Sequence, residues 1–159
     1  MRHMRLHYSK KPIEALFDRP QIERNPTKPT GLWYSPSGPD DWKSWCEAEG
    51  FDGLGPFQYA LTIDPACTII KLRTPDDIFC FNDQYSIELP YGIMEIDWKR
   101  VADDYDGIEL APYQWKCRLD TRVFWYYGWD CASGCLWRPK QSTLKELACG
   151  PTDIAPSAD

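Results

Sequence analysis

The sequence predicts an α+β fold, with split, mostly antiparallel β-sheets and a few short helices. Three observations carry this expectation. Short segments with a period of two outnumber the helical stretches. They do not alternate regularly with helices, as a doubly wound parallel sheet would require. Fourteen prolines are scattered along 159 residues, which favours short elements joined by loops. The chain is 43% hydrophobic and 26% charged, the composition of one folded domain.

Each element has a local signal. Residues 6–9 read as a first strand stopped by Lys10-Lys11-Pro12, and "GLWYS" at 31–35 as a second. Pro39-Asp40-Asp41 opens a helix with acids in its first turn. Trp42, Trp45 and Cys46 make its apolar stripe, and Gly50 closes it. At 57–63 Phe57, Tyr59, Leu61 and Ile63 alternate onto one strand face, and 67–72 is a further strand. Thr74 and Pro75, followed by two acids, make a strong helix opening; Asp97 makes another. Tyr105-Asp106-Gly107 turns the chain into a strand at 108–111. "VFWYYGW" at 123–129 and "CLW" at 135–137 read as late strands. Thr143 and Glu146 stand at capping-box spacing, which predicts a last short helix. The opening "MRHM" looks like an artificial addition ahead of Met4, and residues 150–159 like a flexible tail.

Composition narrows the function classes. A net charge of −6 argues against a broad phosphate-gripping face, while leaving room for a local basic pocket. No apolar run approaches the ~18–20 residues of a membrane span, and no secretory leader is visible. The seven cysteines are odd in number and irregular in spacing, so they read as reduced thiols of a cytoplasmic protein. The one close pair, Cys131-x3-Cys135, and two histidines, His3 and His7, do not make zinc spacing, so no metal is expected. The glycine fingerprints of dinucleotide-binding, P-loop and serine-hydrolase folds are absent.

The candidate site residues lie on strands and at one turn. "LHYS" supplies His7, Tyr8 and Ser9; "LWYS" supplies Trp33, Tyr34 and Ser35. Two strands ending in hydroxyls can line one cleft, or they can be two edge strands with polar tips. Two carboxylates compete for a catalytic role. Glu109 lies on a strand, facing cleft or solvent. Asp130 sits in "WYYGWDCASGCLW" between aromatic rings and a small-residue turn, with Gly128 and Gly134 permitting close backbone approach. A turn Asp can also serve only its own backbone.

In order, a His-bearing first strand, a "G-φ-φ-aromatic-S" strand, "YDGI", and an acid before a Gly-containing hairpin resemble the ADP-ribosyltransferase fold. The nearest likeness is to small phage-encoded anti-CRISPR enzymes of that class, through the "H-x-S" start and an acid followed by a Gly-x-Cys-like turn. Here that turn runs Asp130, Cys131, Ala132, Ser133, Gly134, Cys135, one residue longer than the pattern. Arg5 stands near where another branch of the family has an Arg, and the E-x-E pair of that branch is missing. The resemblance implies an enzyme that splits NAD and transfers ADP-ribose to a protein or nucleic-acid target. It implies a carboxylate near C1′ of the ribose, Asp130 first and Glu109 second. His7 and Ser9 would hold the adenosine side or its ribose. Tyr34 would stack nicotinamide, with Trp33, Trp42 or Trp129 as alternatives. Ser35 would hold the carboxamide or support the acid.

Two other readings stand beside this one. One is a non-enzymatic inhibitor whose acid pairs, Asp76-Asp77 and Asp103-Asp104, meet a basic partner. The other is a hydrolase of NAD or another nucleotide.

Overall fold

The computed structural model describes residues 3–22 and 27–148, apart from the side chain of Ile93. The expected tail at 150–159 lies outside the described residues. The chain begins with β1 (Arg5–Ser9) and β2 (Leu32–Pro36), then α1 (Trp42–Glu49), β3 (Phe57–Thr62) and β4 (Ile69–Leu72). Next come α2 (Pro75–Tyr85), a hairpin of β5 (Ser86–Leu89) and β6 (Ile93–Ile96), and α3 (Trp98–Asp104). The last strands are β7 (Gly107–Leu110), β8 (Ser133–Leu136) and β9 (Thr143–Glu146), with 3₁₀ turns at Trp115–Cys117 and Thr121–Gly128 between β7 and β8.

The architecture is α+β. Seven strands form a sheet in the order β4-β7-β8-β2-β1-β3-β9, and β5 and β6 form a separate pair. Among the described residues only β4 and β7 run parallel, and the other pairings are antiparallel. The ladders are unequal. β1 pairs with β3 over five residues but with β2 over only two, Arg5↔Pro36 and Leu6↔Ser35. The sheet therefore parts down its middle beyond Leu6.

The helices start where the side chains cap them. Asp41 accepts from the Ser44 N–H, so it is the N-cap of α1 and not part of its first turn. Gly50 ends that helix at φ +62°, a conformation that favours glycine. Thr74 and Asp77 complete a reciprocal capping box at the start of α2. Asp97 accepts from the Arg100 N–H to open α3.

Two packed layers follow from the strand alternation. On one face α2, α3 and the 3₁₀ segment bury Ile78, Phe81, Val101, Trp125 and Tyr126 against Ile108 and Cys135. On the other, Leu32, Tyr34, Leu61 and Leu136 are covered by Ile13 and Leu16 from the segment after β1. No described helix is long and apolar enough to cross a membrane.

Two predicted elements fail, each for a physical reason. Residues 123–129 are not a strand. The Asp120 side chain caps the Arg122 N–H and starts a 3₁₀ segment. The turn is kinked at Val123, and Val123, Trp125, Tyr126 and Trp129 are buried, a pattern that does not alternate as a strand would. Residues 143–146 are not a helix either. They form β9, which pairs with all of Tyr59–Thr62 and satisfies the outer edge of β3. Pairing with a distant strand outweighs a local capping pattern. The β5–β6 hairpin, turning through Tyr91 and Gly92 at positive φ, had no sequence expectation.

Candidate functional site

The gap between β1 and β2 is the origin of the site. Where the ladder stops, the Trp33 carbonyl loses its strand partner. The His7 side chain replaces it, with Nδ1 donating to that oxygen. A carbonyl only accepts, so Nδ1 carries the proton and Nε2 of the neutral ring is an acceptor. Burial is the main force lowering the His7 pKa below its usual value, although the bond to Trp33 opposes it.

A cleft of about 340 Å³ opens here. Its walls include His7 and Tyr8 from β1, Trp33, Tyr34 and Ser35 from β2, Trp42 from α1, and Trp129, Asp130 and Cys131. Six of the sequence candidates thus meet in one place: His7, Tyr8, Trp33, Tyr34, Ser35 and Asp130. Lys28 also lines the cleft, with Nζ 5.8 Å from the centre of the Trp33 ring. Trp42 stacks on Trp45 at 5.1 Å, which fixes the far wall.

The Asp130 turn is anchored on both sides. Before it, the buried Trp129 gives its carbonyl to the Tyr113 hydroxyl. After it, Ala132 donates its N–H to Asp40 and accepts from the Ser35 hydroxyl at 2.7 Å. The Ser35 oxygen also accepts from the Trp42 N–H. Ser35 is buried and occupied in joining β2, α1 and the acid-bearing turn. Its geometry is that of a support for Asp130, not of a carboxamide ligand.

Asp130 is 30% exposed, and Arg118 Nη2 lies 3.4 Å from Oδ1. Arg118 is itself held by the Tyr113 hydroxyl at 2.9 Å, which raises its pKa and keeps it charged. The carboxylate is therefore oriented but partly open to the cleft. Neither Arg118 nor Lys28 was singled out by sequence; a lone Arg in "WKCRLD" and a Lys among prolines give no spacing signal.

Glu109 is elsewhere. It faces Gly134 across the β7–β8 ladder, and Gly134 faces Tyr34 across β8–β2. With no side chain at Gly134, the Tyr34 ring crosses it and donates to Glu109 at 3.0 Å. Arg5 completes the group with two contacts to the same carboxylate, at 2.6 and 3.2 Å. By strand alternation this cluster and Ser133 lie on opposite sheet faces. Glu109 and Arg5 line a separate cavity of about 700 Å³, with Arg73, Asp40 and Tyr113. Glu109 is thus committed to a cross-strand clamp.

Two other candidates have local roles. Ser9 is half-buried, donates to the Lys11 carbonyl and does not line the cleft. The Tyr34 ring is only 3% exposed, so it is not a stacking platform; Tyr8, Trp33 and Trp42 are more open.

Burial pushes the Cys131 thiol up to about 11, so it is protonated at neutral pH and not an activated nucleophile. All six described cysteines are free, and no group of described side chains assembles as a metal site.

Comparison with known proteins finds no matching family model, no matching curated protein and no matching solved structure.

Proposed function

We propose that the protein is an ADP-ribosyltransferase-like enzyme that cleaves NAD and transfers ADP-ribose to a macromolecular acceptor. One observation carries this reading: Asp130 shares the cleft at the parted sheet with His7, Tyr8 and Trp33. The cleft falls within the range of about 300–1,000 Å³ usual for small-molecule sites.

The donor set suits a dinucleotide. Trp33 and Trp42 offer flat faces to a heteroaromatic ring. The His7 Nε2 lone pair and the Tyr8 hydroxyl suit ribose hydroxyls. The Lys28 ammonium suits a pyrophosphate.

In the reaction the bond between C1′ and the nicotinamide nitrogen breaks, and its electron pair leaves with neutral nicotinamide. Positive charge builds on C1′ and the ring oxygen. Asp130, fixed by Arg118 and the anchored turn, stabilises that charge without reorganising. An acceptor oxygen or nitrogen then bonds to C1′, and its proton passes to Asp130 or to water. Aromatic walls limit water entry and favour transfer over hydrolysis.

The test is nicotinamide release from NAD by the purified protein, alone and with cell extract. Mass analysis of the products separates free ADP-ribose from modified macromolecule. Release by the wild type that is lost in Asp130→Asn and retained in Glu109→Gln supports the reading. Absence of release in both conditions, in protein that binds NAD or not, counts against it.

A further inference from the structure

The turns between β7 and β8 leave four large apolar side chains in solvent: Trp115 at 58%, Leu119 at 80%, Phe124 at 59% and Tyr127 at 48% exposure. Past the kink at Val123, Trp125 and Tyr126 are buried while Phe124 and Tyr127 are turned outward. Their rings lie parallel within 7°, with centres 6.0 Å apart. The Arg118 guanidinium sits 5.3 Å from the Tyr127 ring centre and 6.0 Å from that of Trp115. The same guanidinium contacts Asp130. A continuous strip of rings and cation therefore runs from the acid of the cleft to open surface.

The strip is locally basic on an acidic chain. Lys116, Arg118 and Arg122 outnumber Asp120 and Asp130, which hold Arg122 at 2.7 Å and Arg118 at 3.4 Å, while the whole protein carries −6. Lys28 extends the positive charge to the cleft, its Cε 3.5 Å from where a Cβ on Gly128 would stand. Exposed flat rings, a stacked guanidinium and nearby cations are the chemistry that takes unpaired bases by stacking and phosphates by charge. A duplex hides its base faces and offers the rings nothing. A folded protein partner would have to desolvate the exposed Lys116, a residue type depleted from interface centres.

We propose that Trp115, Arg118, Phe124 and Tyr127 form a docking strip for single-stranded nucleic acid, which is thereby led to Asp130. That this strand is the acceptor rests on the ADP-ribosyltransferase reading; the docking does not.

The experiment is fluorescence anisotropy with a labelled 20-nucleotide oligothymidylate and with a duplex of equal length, using the full chain without NAD. The single strand is expected to bind at least tenfold more tightly than the duplex. Its affinity should fall about tenfold between roughly 50 and 200 mM salt, as two or three phosphate contacts require. Phe124→Ala and Tyr127→Ala should each weaken binding about tenfold, the effect of losing one stacking face. Lys116→Glu should weaken it and flatten the salt dependence. Circular dichroism checks that each variant is folded, and these exposed positions leave the core intact.

No oligonucleotide binding by folded wild type overturns the proposal, as does binding that the three substitutions do not change. A concentration-dependent dimer that Phe124→Ala dissolves, with no oligonucleotide bound, also overturns it and assigns the strip to self-association. Because the assay contains no NAD, its outcome is independent of nicotinamide release. Oligonucleotide bound without NAD cleavage would sink the enzymatic reading and leave the docking standing.

Discussion

The His7 imidazole donates from Nδ1 to the main-chain carbonyl of Trp33, across the point where β1 and β2 part. The side chain substitutes for a missing strand bond and so holds a gap open within a continuous sheet. A variant can separate this bracing role from ligand binding. His7→Ala leaves the carbonyl unpaired and should cost about 1–3 kcal/mol in chemical denaturation. His7→Asn keeps a donor near the Nδ1 position but loses Nε2. It should recover most of the stability and none of the NAD affinity. Equal recovery of both would show that Nε2 does not touch the ligand.

The same residue predicts a pH dependence. Burial lowers the folded-state pKa of His7, so the unfolded chain takes up its proton first as pH falls. The stability of the neutral form is complete above about pH 6.5 and is lost as pH drops through the folded value. Melting curves from pH 7.5 to 5 should show this slope, and His7→Asn should reduce it.

Asp106 governs a lower pH window. Burial alone would raise its carboxyl, but Lys140, the Thr68 N–H and Arg138 outweigh that and hold it at about 2. A depressed folded value means stability that is present above about pH 4 and lost as pH falls towards 2. Asp106→Asn should cost about 2–3 kcal/mol at pH 7 and remove this part of the acid sensitivity.

Gly134 is required for the Tyr34–Glu109 contact. A Cβ there would stand 2.1 Å from Cζ of Tyr34, and the neighbouring strands leave the ring little room. Gly134→Ala should destabilise by about 1–3 kcal/mol or more. Gly38→Ala meets none of the described residues within 4 Å and should change stability by less than about 0.5 kcal/mol. Thermal melts of the two variants make the comparison.

Thiol labelling tests the assignment of the cysteines. Cys80 is exposed, whereas Cys131 is buried and protonated. Iodoacetamide at pH 7.5 should modify Cys80 in the native protein and reach Cys131 only in denaturant. Rapid native labelling of Cys131 would mean an open or activated thiol beside Asp130.

Much of this organisation is legible in the sequence, where the signal is local. Thr74-Pro75, Asp97 and Gly50 mark helix ends through bonds made within a few residues, and the structure has helix ends at each. The alternation of Tyr59 and Leu61 marks a strand for the same reason. The aromatic run at 123–129 misleads because its rings suit a strand as well as a turn, and only the capped turn at Asp120 decides. β9 depends on the free edge of β3, which lies some eighty residues upstream and has no local trace. The two acids could not be separated by sequence at all. Glu109 is occupied by Arg5, 104 residues away, and Asp130 is reached by Arg118 from a separate turn.

The most direct measurement is nicotinamide release from NAD by wild type, Asp130→Asn and Glu109→Gln, each checked for folding. Asp130→Asn should lose about 10²–10³-fold in rate with a near-native melting temperature, because the lost interaction is electrostatic and made in the transition state. Glu109→Gln should melt earlier and keep its rate once folded. A wild-type rate retained in Asp130→Asn, or lost only in Glu109→Gln, would contradict the assignment of Asp130 as the acid of the cleft.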